Sequence, residues 1–443
     1  MRIQLSDSFT YRKLLRFTLP SICMMVFTSI YGVVDGLFVS NYVGKTAFAA
    51  VNLIMPFPML MSAIGFMIGT GGSALVSMTM GQGDKARANR IFSMLVYVSM
   101  ALGITMSAVG IAVLPTVARF MGADETMLPY CVTYGRILLL GLPFYMLTNV
   151  FQTFLVTAEK PQLGLFVTVG AGVTNMVLDW LLVGVIPFGV EGAAWATFAS
   201  QFVGGALPLI YFARPNSSLL KLGRTKLDLR ALGNTCLNGS SELMTNVSMS
   251  LVSILYNWQL MRMAGEDGVA AYGVIMYVNF IFIAIFLGYS IGVAPVVGFH
   301  YGAGHHDELK SLLRKSLTIT AVMAVALTAL SEVLARPLSM IFVSYDAELL
   351  ALTTRAFMIY SVSFLLCGFN IFGSAFFTAL GNGVVSATIS FARTLLFQIL
   401  TVLALPLVLG VDGIWAAIIV AEGLALLVTF WFLYRHREHY HYA

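Results

Sequence analysis

Two stretches of this sequence decide its fold: GKTAFAAVNLIMPFPMLMSAIGFMIGTG, residues 44–71, and GEDGVAAYGVIMYVNFIFIAIFLGYSIG, residues 265–292. The second stretch lies at an offset of 221 from the first, and at that offset their first and last glycines coincide. Chance matches are common in apolar sequence, but glycines that coincide at loop positions on one fixed offset are much rarer. The two stretches therefore indicate an internal duplication.

The composition places this duplication in a membrane. Of the 443 residues, 59% are hydrophobic and only 10% are charged, whereas a soluble domain carries roughly 25% charged residues. This shortage of charge excludes an ordinary cytosolic enzyme, a disordered protein and a fibrous one. Because the apolar runs are continuous rather than alternating, the pattern favours a bundle of spanning helices over a β-barrel. The four cysteines lie in apolar stretches and are interpreted as packing residues.

Twelve apolar stretches are long enough to cross a bilayer, which takes about 20 residues of helix. Four prolines within them, Pro20, Pro56, Pro58 and Pro295, are predicted to supply kinks. The predicted spans are 14–39, 51–80, 91–114, 127–157, 163–183, 192–212, 231–261, 268–299, 312–334, 347–379, 384–409 and 413–434.

The duplication divides these spans into six and six. An even number of spans returns the chain to the same side, so the two halves are predicted to share one orientation. A pseudo-two-fold axis along the membrane normal then relates them, with a cavity between, as in many secondary transporters. Two further glycine loops match at the same offset: Gly81-Gln82-Gly83 with Gly302-Ala303-Gly304, and Gly189–Gly192 with Gly410–Gly413.

The basic residues predict the orientation. Eighteen Lys and Arg residues lie on the side of the two termini and four on the other side, so both termini are predicted to be cytoplasmic. The longest polar stretch, 213–230, carries five basic residues and falls near the middle of the chain. We interpret it as a cytoplasmic linker between an N-terminal lobe, 1–212, and a C-terminal lobe, 231–443.

Three motifs accompany the duplication: YGVVDGLFV at 31–39, VGKTAFAAVN at 43–52 and MGQGD at 80–84. With twelve spans in two halves, the sequence resembles the multidrug and toxic compound extrusion (MATE) family over essentially its whole length, in particular the bacterial DinF-like and MepA-like branch. The resemblance implies two six-helix lobes around a V-shaped cavity. It also implies export of organic cations and drugs by antiport against Na⁺ or H⁺.

The same resemblance implies the class of partner and the location. We expect a multi-pass protein of the cell (inner) membrane that is a transporter and not an enzyme. It would need no cofactor beyond its coupling ion and would bind drugs or organic cations and membrane lipid, not nucleic acid. We also expect it to act as a monomer.

Carboxylates within the predicted spans are the most informative side chains, since a charge at the bilayer centre costs several kcal/mol. Asp35 in span 1 and Asp179 in span 5 both fall in the outer half of the first lobe, because a helix rises about 1.5 Å per residue. Asn175 lies one turn before Asp179 on the same face, and Thr197 lies about one turn into span 6. Two carboxylates, an amide oxygen and a hydroxyl are predicted to hold a hard cation or, equally, a proton. The alternative is that the acids pair with Arg136 for stability alone.

The family resemblance points to the same place. In this family a first-lobe cation or proton site uses an acid in span 1, an Asn-x-x-x-Asp pair in span 5 and a ligand in span 6. Tyr134 is predicted to belong to a polar network of the cavity wall, together with Gln152 and Glu242. The positions that match the coupling site are Asp35, Asn175, Asp179 and Thr197.

The second lobe carries a different set of polar residues. Glu242 lies near the midplane of span 7, where family members often have an acid. Span 10 has Asn370 and no Asp, which favours the first lobe as the ion site. Glu422 in span 12 coincides with Gln201 at the offset of 221, and both helix–helix contact and a transport role stay open for it. Glu332, near the outer end of span 9, is predicted at the interface.

Other functions have weaker support in the sequence. A flippase of lipid-linked oligosaccharide would typically have fourteen spans or a cavity lined with basic residues, but here only three arginines fall within spans. An intramembrane enzyme such as a prenyl transferase would need paired Asp-rich motifs, which the sequence lacks. The glycine-rich segment 65–72 lies within a predicted span, so we interpret it as helix packing rather than nucleotide binding. The histidines at 305–306 and 436–441 predict incidental metal affinity only.

Overall fold

The computed structural model describes residues 2–443, in which every regular element is a helix. Ten helices are long and apolar enough to cross a membrane, and a bent pair, Leu128–Leu140 and Leu142–Thr157, adds an eleventh crossing. One of the ten, Leu229–Gly302, has 74 residues and is interrupted at Gly265, where φ is 69° and ψ is −155°. At about 1.5 Å per residue it is long enough to cross twice. Residues 2–443 thus form twelve spanning helices, which confirms the predicted fold class.

We number these spanning helices α1 to α12 in chain order. Nearly every helix covers its predicted span, and most extend beyond it at one or both ends, since a helix continues past the apolar core into the interface. Their bounds are α1 Tyr11–Tyr42, α2 Lys45–Gly81, α3 Lys85–Phe120, α4 Leu128–Thr157, α5 Pro161–Val185, α6 Val190–Ala213, α7 229–264, α8 266–302, α9 His306–Val343, α10 Ala347–Ala379, α11 Gly383–Leu409 and α12 Val411–Arg435.

The backbone of the loops confirms the duplication. Glycines with positive φ, a conformation that residues with a Cβ atom resist, recur in pairs that are related by the offset of 221. Gly189 and Gly410 agree to within a few degrees in both φ and ψ. The φ values are 103° and 69° for Gly44 and Gly265, 88° and 73° for Gly83 and Gly304, and 65° and 67° for Gly189 and Gly410.

Helix breaks follow proline only in part. α2 is interrupted at Met55, directly before Pro56, as predicted, whereas Pro20, Pro58 and Pro295 lie inside continuous helical segments. The bend of 53° in α4 was not predicted. Pro143 has no N–H to bond the Leu139 carbonyl one turn earlier, and the Ser107 hydroxyl of α3 donates to that carbonyl instead. The bend therefore depends on a neighbouring helix as well as on the proline.

The two lobes come into close contact where α2 crosses α8. These are equivalent helices of the two copies, so the contact is reciprocal. A Cβ atom at Gly81 would lie 2.0 Å from the Phe299 carbonyl oxygen, and one at Gly302 would lie 2.1 Å from the Met78 carbonyl oxygen. Only glycine permits such an approach. Because α2 and α8 both end here, the crossing lies at the end of the bundle where α1 begins.

Helices α1 and α8 also come close in the first half of α1, and just past its middle the Ser29 hydroxyl still donates to the Phe280 carbonyl at 3.4 Å. Gly288 and Gly292 of α8 pack against the Ile22 and Thr18 backbone in the first half of α1. In the other half of α1, the positions of Gly32 and Gly36 have no atom within 4 Å of an added Cβ. We interpret this difference as a cleft that widens away from the end carrying the termini.

The N-terminal segment 2–10 bridges the two lobes at their closed end. The Leu5 N–H donates to a Glu159 carboxylate oxygen in the α4–α5 loop at 2.9 Å. The Phe9 N–H donates to a Glu308 carboxylate oxygen in α9 at 2.8 Å. Leu5 and Phe9 are both buried. One short segment is thus held by an acid from each lobe.

The polar stretch between the lobes lies against the first lobe. Residues 214–228, between α6 and α7, contain no helix. The Lys221 N–H donates to the Asn89 side-chain oxygen at 3.0 Å, and the Gly223 N–H donates to the Ser93 hydroxyl at 3.0 Å. This stretch therefore runs along the start of α3 instead of hanging free.

Candidate ion-coupling site

Three polar side chains meet inside the first lobe, where α1 packs against α5. Asp35 comes from the second half of α1, and Asn175 and Asp179 come from one face of α5, a turn apart. Their exposed fractions are 8%, 2% and 0%. Since α1 and α5 are far apart in sequence, only their packing brings the two carboxylates into one place.

The carboxyl groups of Asp35 and Asp179 lie close enough to share a hydrogen bond when one of them is protonated. The Asn175 amide borders Asp35 and donates to the Thr197 hydroxyl of α6 at 3.5 Å. That hydroxyl in turn donates to the Ala193 carbonyl at 3.2 Å. The structure therefore brings together all four residues that the sequence predicted as a site.

The acceptor oxygens of this group are unusual because they lack partners. One oxygen of Asp35, the side-chain oxygen of Asn175 and both oxygens of Asp179 are buried without a hydrogen bond. Buried polar atoms are nearly always paired, and each exception calls for an explanation. Four converging oxygen acceptors, three of them from carboxylates, have the donor chemistry that suits Na⁺ or a proton. No cluster of three or more His, Cys, Asp or Glu side chains occurs in residues 2–443.

Within residues 2–443, no basic side chain lies beside the two acids. Arg136 is exposed and forms no salt bridge within the described part of the chain, so the alternative in which it pairs with Asp35 or Asp179 is wrong. Tyr134 is fully buried beside both acids and Thr197, and its hydroxyl makes no hydrogen bond. A neutral hydroxyl can serve the group as a donor or an acceptor, whereas it cannot neutralise the carboxylates.

A local irregularity follows the site in α5. Directly after Asp179, residues Trp180–Val185 form a π-helical segment. π-helical turns are rare and frequently occur at functional sites. The sequence does not predict this π-helical segment, because nothing in the apolar run WLLVGV distinguishes it from an ordinary helix end.

The three residues assigned to the cavity wall lie in separate surroundings. Tyr134 belongs to the acid group of the first lobe. Gln152 is buried in α4 and lines a small cavity with Tyr31 and Thr168, and its side-chain oxygen has no partner. Glu242 is a half-buried residue of α7 in the second lobe, within electrostatic range of Arg393. No hydrogen bond among residues 2–443 joins Tyr134, Gln152 and Glu242 to one another.

The second lobe contains a network that sequence reasoning found only in part. The Arg393 guanidinium of α11 pairs with the Glu422 carboxylate of α12 at 2.9 Å. The Asn370 amide of α10 donates to the same carboxylate at 2.8 Å, and the Thr429 hydroxyl donates to the Asn370 oxygen at 2.8 Å. The sequence marks Arg393 only as an arginine within a span, since no sequence spacing links α11 to α12.

Fold and site together define a class of protein: a duplicated bundle of twelve membrane-spanning helices with unpaired acids buried in one lobe. The family model described as MatE matches residues 20–181 and 243–403, one segment in each lobe. Because these segments cover more than half of the sequence, the chain belongs to the MatE family. This confirms the predicted family, and with twelve spanning helices the chain is a multi-pass membrane protein.

The chain is similar to several curated bacterial proteins over nearly its whole length. It is 23% identical over 434 residues to the multidrug export protein MepA of Staphylococcus haemolyticus, covering 98% of this chain and 95% of that protein. It is 25% identical over 420 residues to the probable multidrug resistance protein YoeA of Bacillus subtilis, covering 91% and 84%. The shared region thus includes both lobes.

Solved structures have the same fold. The outward-facing conformation of a multidrug resistance MATE family transporter of the MOP superfamily superimposes with a TM-score of 0.92 at 24% identity, covering 98% of this chain and 97% of the other. A MOP superfamily transporter from Pyrococcus furiosus, described as having a binding pocket of reverse polarity that suggests a different function, superimposes with a TM-score of 0.91 at 23% identity, covering 98% and 97%. One fold therefore accommodates pockets of different polarity.

Proposed function

We propose that this protein is a secondary active exporter of organic cations and drugs that works by antiport with Na⁺ or H⁺. Membership of the MatE family and full-length similarity to multidrug export proteins support this function. The observation that carries the coupling mechanism is the group of unpartnered oxygens on Asp35, Asn175 and Asp179. Two buried acids without a base are costly unless a cation or a proton compensates them.

Alternating access follows from the two lobes. They meet at the end carrying the termini and separate toward the other end, so the cleft between them would be accessible from that other side. Binding of an ion at Asp35 and Asp179 would favour the conformation that binds the ion more tightly, because a ligand shifts an equilibrium only through its differential affinity. Ion entry would thereby be coupled to drug release on the outer side.

We propose the cell membrane as the location, with both termini and the 213–230 linker in the cytoplasm. The excess of Lys and Arg on that side supports this orientation. Lys226 in the linker and Lys45 at the start of α2 are both exposed and lie on opposite sides by this scheme. In a variant without the native cysteines, an impermeant thiol reagent should label Lys45→Cys in intact cells and not Lys226→Cys. The reverse labelling pattern would invert the orientation.

A flippase of lipid-linked oligosaccharide has less support from the arginines. A phosphate-bearing substrate needs basic groups in the cleft, but Arg393 is paired with Glu422, and Arg355 is paired with Asp412 at 2.7 Å. Arg136, the remaining arginine within a predicted span, is an exposed residue of α4 in the same lobe as the two unpaired acids. The charge distribution therefore supports a cationic cargo rather than an anionic one.

The deciding experiment is ethidium efflux from proteoliposomes that contain the purified protein. A Na⁺ gradient and a pH gradient are imposed separately, and at least one of them should drive ethidium against its concentration gradient. Asp179→Asn should abolish this coupled movement while the protein stays folded and inserted. Ethidium movement that needs neither gradient would contradict antiport, and movement of a lipid-linked oligosaccharide alone would favour the flippase.

A further inference from the structure

The buried charge pair of the second lobe is fully satisfied. The Arg393 Nε donates to both carboxylate oxygens of Glu422, at 2.9 Å and 3.1 Å. The Asn370 amide adds donations to the Glu422 carboxylate at 2.8 Å and to the Glu422 backbone oxygen at 3.0 Å. Three helices, α10, α11 and α12, thus contribute to the surroundings of one carboxylate. No oxygen of Glu422 is left without a partner, in contrast to the acids of the first lobe.

The helix that carries Arg393 is irregular at that residue. Residues Ala392–Leu396 of α11 form a π-helical segment, and the other ionisable side chains near the guanidinium are Glu242, Cys367 and Tyr360. Of these only Glu242 is an acid, and it makes no salt bridge with Arg393. Glu422 is therefore the acid with which Arg393 pairs.

The equivalent positions of the first lobe differ from this charge pair. At the offset of 221, Asn370 coincides with Asn149, Glu422 with Gln201 and Arg393 with Gly172. A Cβ atom at Gly172 would lie 2.4 Å from the Phe27 ring, so a side chain there would require that ring to move. Both lobes have an asparagine at the position of Asn149 and Asn370. Only the second lobe has an acid and a base at the other two positions.

We infer that Arg393 is a tethered cation that takes the place of a second coupling ion. This inference rests on the proposed antiport function. Glu422 with the Asn370 amide and the Thr429 hydroxyl forms a buried acidic site whose charge must be balanced. The guanidinium balances it permanently, because arginine keeps its proton in proteins. The Glu422 site therefore takes up neither Na⁺ nor H⁺, and the exchangeable ion binds at Asp35 and Asp179.

The test compares Arg393→Met with the double variant Arg393→Met/Glu422→Gln in purified protein. Arg393→Met removes the tethered charge and leaves Glu422 uncompensated, so it should bind one more monovalent cation per molecule than the wild type. Equilibrium binding of ²²Na⁺ alone measures this, and a difference titration near neutral pH detects an extra bound proton. In the double variant, which has neither charge, the count should return to the wild-type value.

Arg393→Lys is the conservative control and should keep the wild-type count, because an ammonium group can also neutralise Glu422. A folded Arg393→Met protein with the wild-type count, or a double variant that keeps the extra cation, would overturn the inference. If Arg393→Met is unstable, its thermal stability should rise with Na⁺ or with acidification more than that of the double variant. Absence of that difference would equally overturn it.

These measurements are independent of the proposed transport function. They use Na⁺ or protons alone and need no drug, so the cation count can be determined even if the wild type fails to move ethidium under either gradient. Failure of the exporter function would appear in the proteoliposomes, whereas failure of the tethered-cation inference would appear in the comparison of the two Arg393 variants.

Discussion

The two lobes share one backbone plan and differ in the charges they bury. In the first lobe Asp35 and Asp179 have no basic partner, whereas the equivalent positions of the second lobe, at the offset of 221, are Tyr256 and Leu400. Tyr256 is buried and donates its hydroxyl to Gln398 at 3.1 Å, and Leu400 is 53% exposed. In the second lobe the buried acid Glu422 is neutralised by Arg393. A symmetrical fold thus carries an asymmetrical pair of polar cores.

The contrast distinguishes a buried acid that stabilises the fold from a buried acid that can bind an ion. A buried carboxylate that is paired and hydrogen-bonded has its desolvation largely offset, whereas an unpaired one keeps the cost until a cation or a proton arrives. The first arrangement suits a permanent contact between helices, and the second suits an exchangeable ion. The following predictions test whether the two lobes divide these roles.

The largest effect is expected from Asp35→Asn, with Tyr256→Phe as its matched change in the second lobe. Hydrogen bonds to charged groups are worth about 1.5–3 kcal/mol, so losing the carboxylate should weaken ion binding by roughly tenfold to a hundredfold and remove ion-driven efflux. Tyr256→Phe removes only a hydroxyl that bonds Gln398 and should leave coupling near wild type. Gradient-driven ethidium efflux measures both. Wild-type efflux in Asp35→Asn would place the coupling ion elsewhere.

The second prediction concerns the stability of the paired lobe. Arg393→Met leaves Glu422 buried without its charge partner and should lower the free energy of unfolding by about 3–5 kcal/mol. Removing both charges in Arg393→Met/Glu422→Gln should cost much less, because no uncompensated charge remains. Thermal denaturation in detergent compares the variants at fixed pH and salt. Equal destabilisation by the single and the double change would mean that packing, rather than charge, holds this network.

The third prediction tests whether the first-lobe residues act as one site. Asn175→Ala alone should weaken the ion dependence of efflux by a few fold, because Asn175 supplies an oxygen ligand and no charge. In a background of Asp179→Asn, where coupling is already lost, the same change should cost little more, since residues that share a site are not additive. Adding Asp35→Asn should also change little. Additive losses across these variants would separate the three residues.

The smallest effect on stability is expected from the turns that the lobes have in common. Gly189→Ala and Gly410→Ala each place a Cβ in a backbone with positive φ, where nothing else lies within 4 Å. Each should therefore lower stability by about 1–3 kcal/mol through backbone strain alone. The two losses should be equal and should add in the double variant. Unequal losses by thermal denaturation would show that the two copies differ at this turn.

The site was partly predictable because some of its geometry is local. Asn175 and Asp179 lie one turn apart on any helix, and depth along a span places Asp35 and Thr197 near them. The partner of Glu422 was not predictable, since Arg393 lies on a different helix and no spacing in the sequence connects the two. The bend at Pro143 likewise depends on Ser107 of α3, and the lobe-bridging segment depends on Glu159 and Glu308. Such contacts arise from helix packing and have no periodic signature.

The sequence by itself determined the number of spanning helices, their duplication and the family, because hydropathy and turn glycines are local properties that repeat along the chain. It also predicted which carboxylates lie within spanning helices. Only the tertiary structure decided which of those carboxylates is neutralised. That choice depends on which helices pack together: α11 and α12 bring Arg393 to Glu422, whereas α1 and α5 bring Asp35 to a second acid, Asp179.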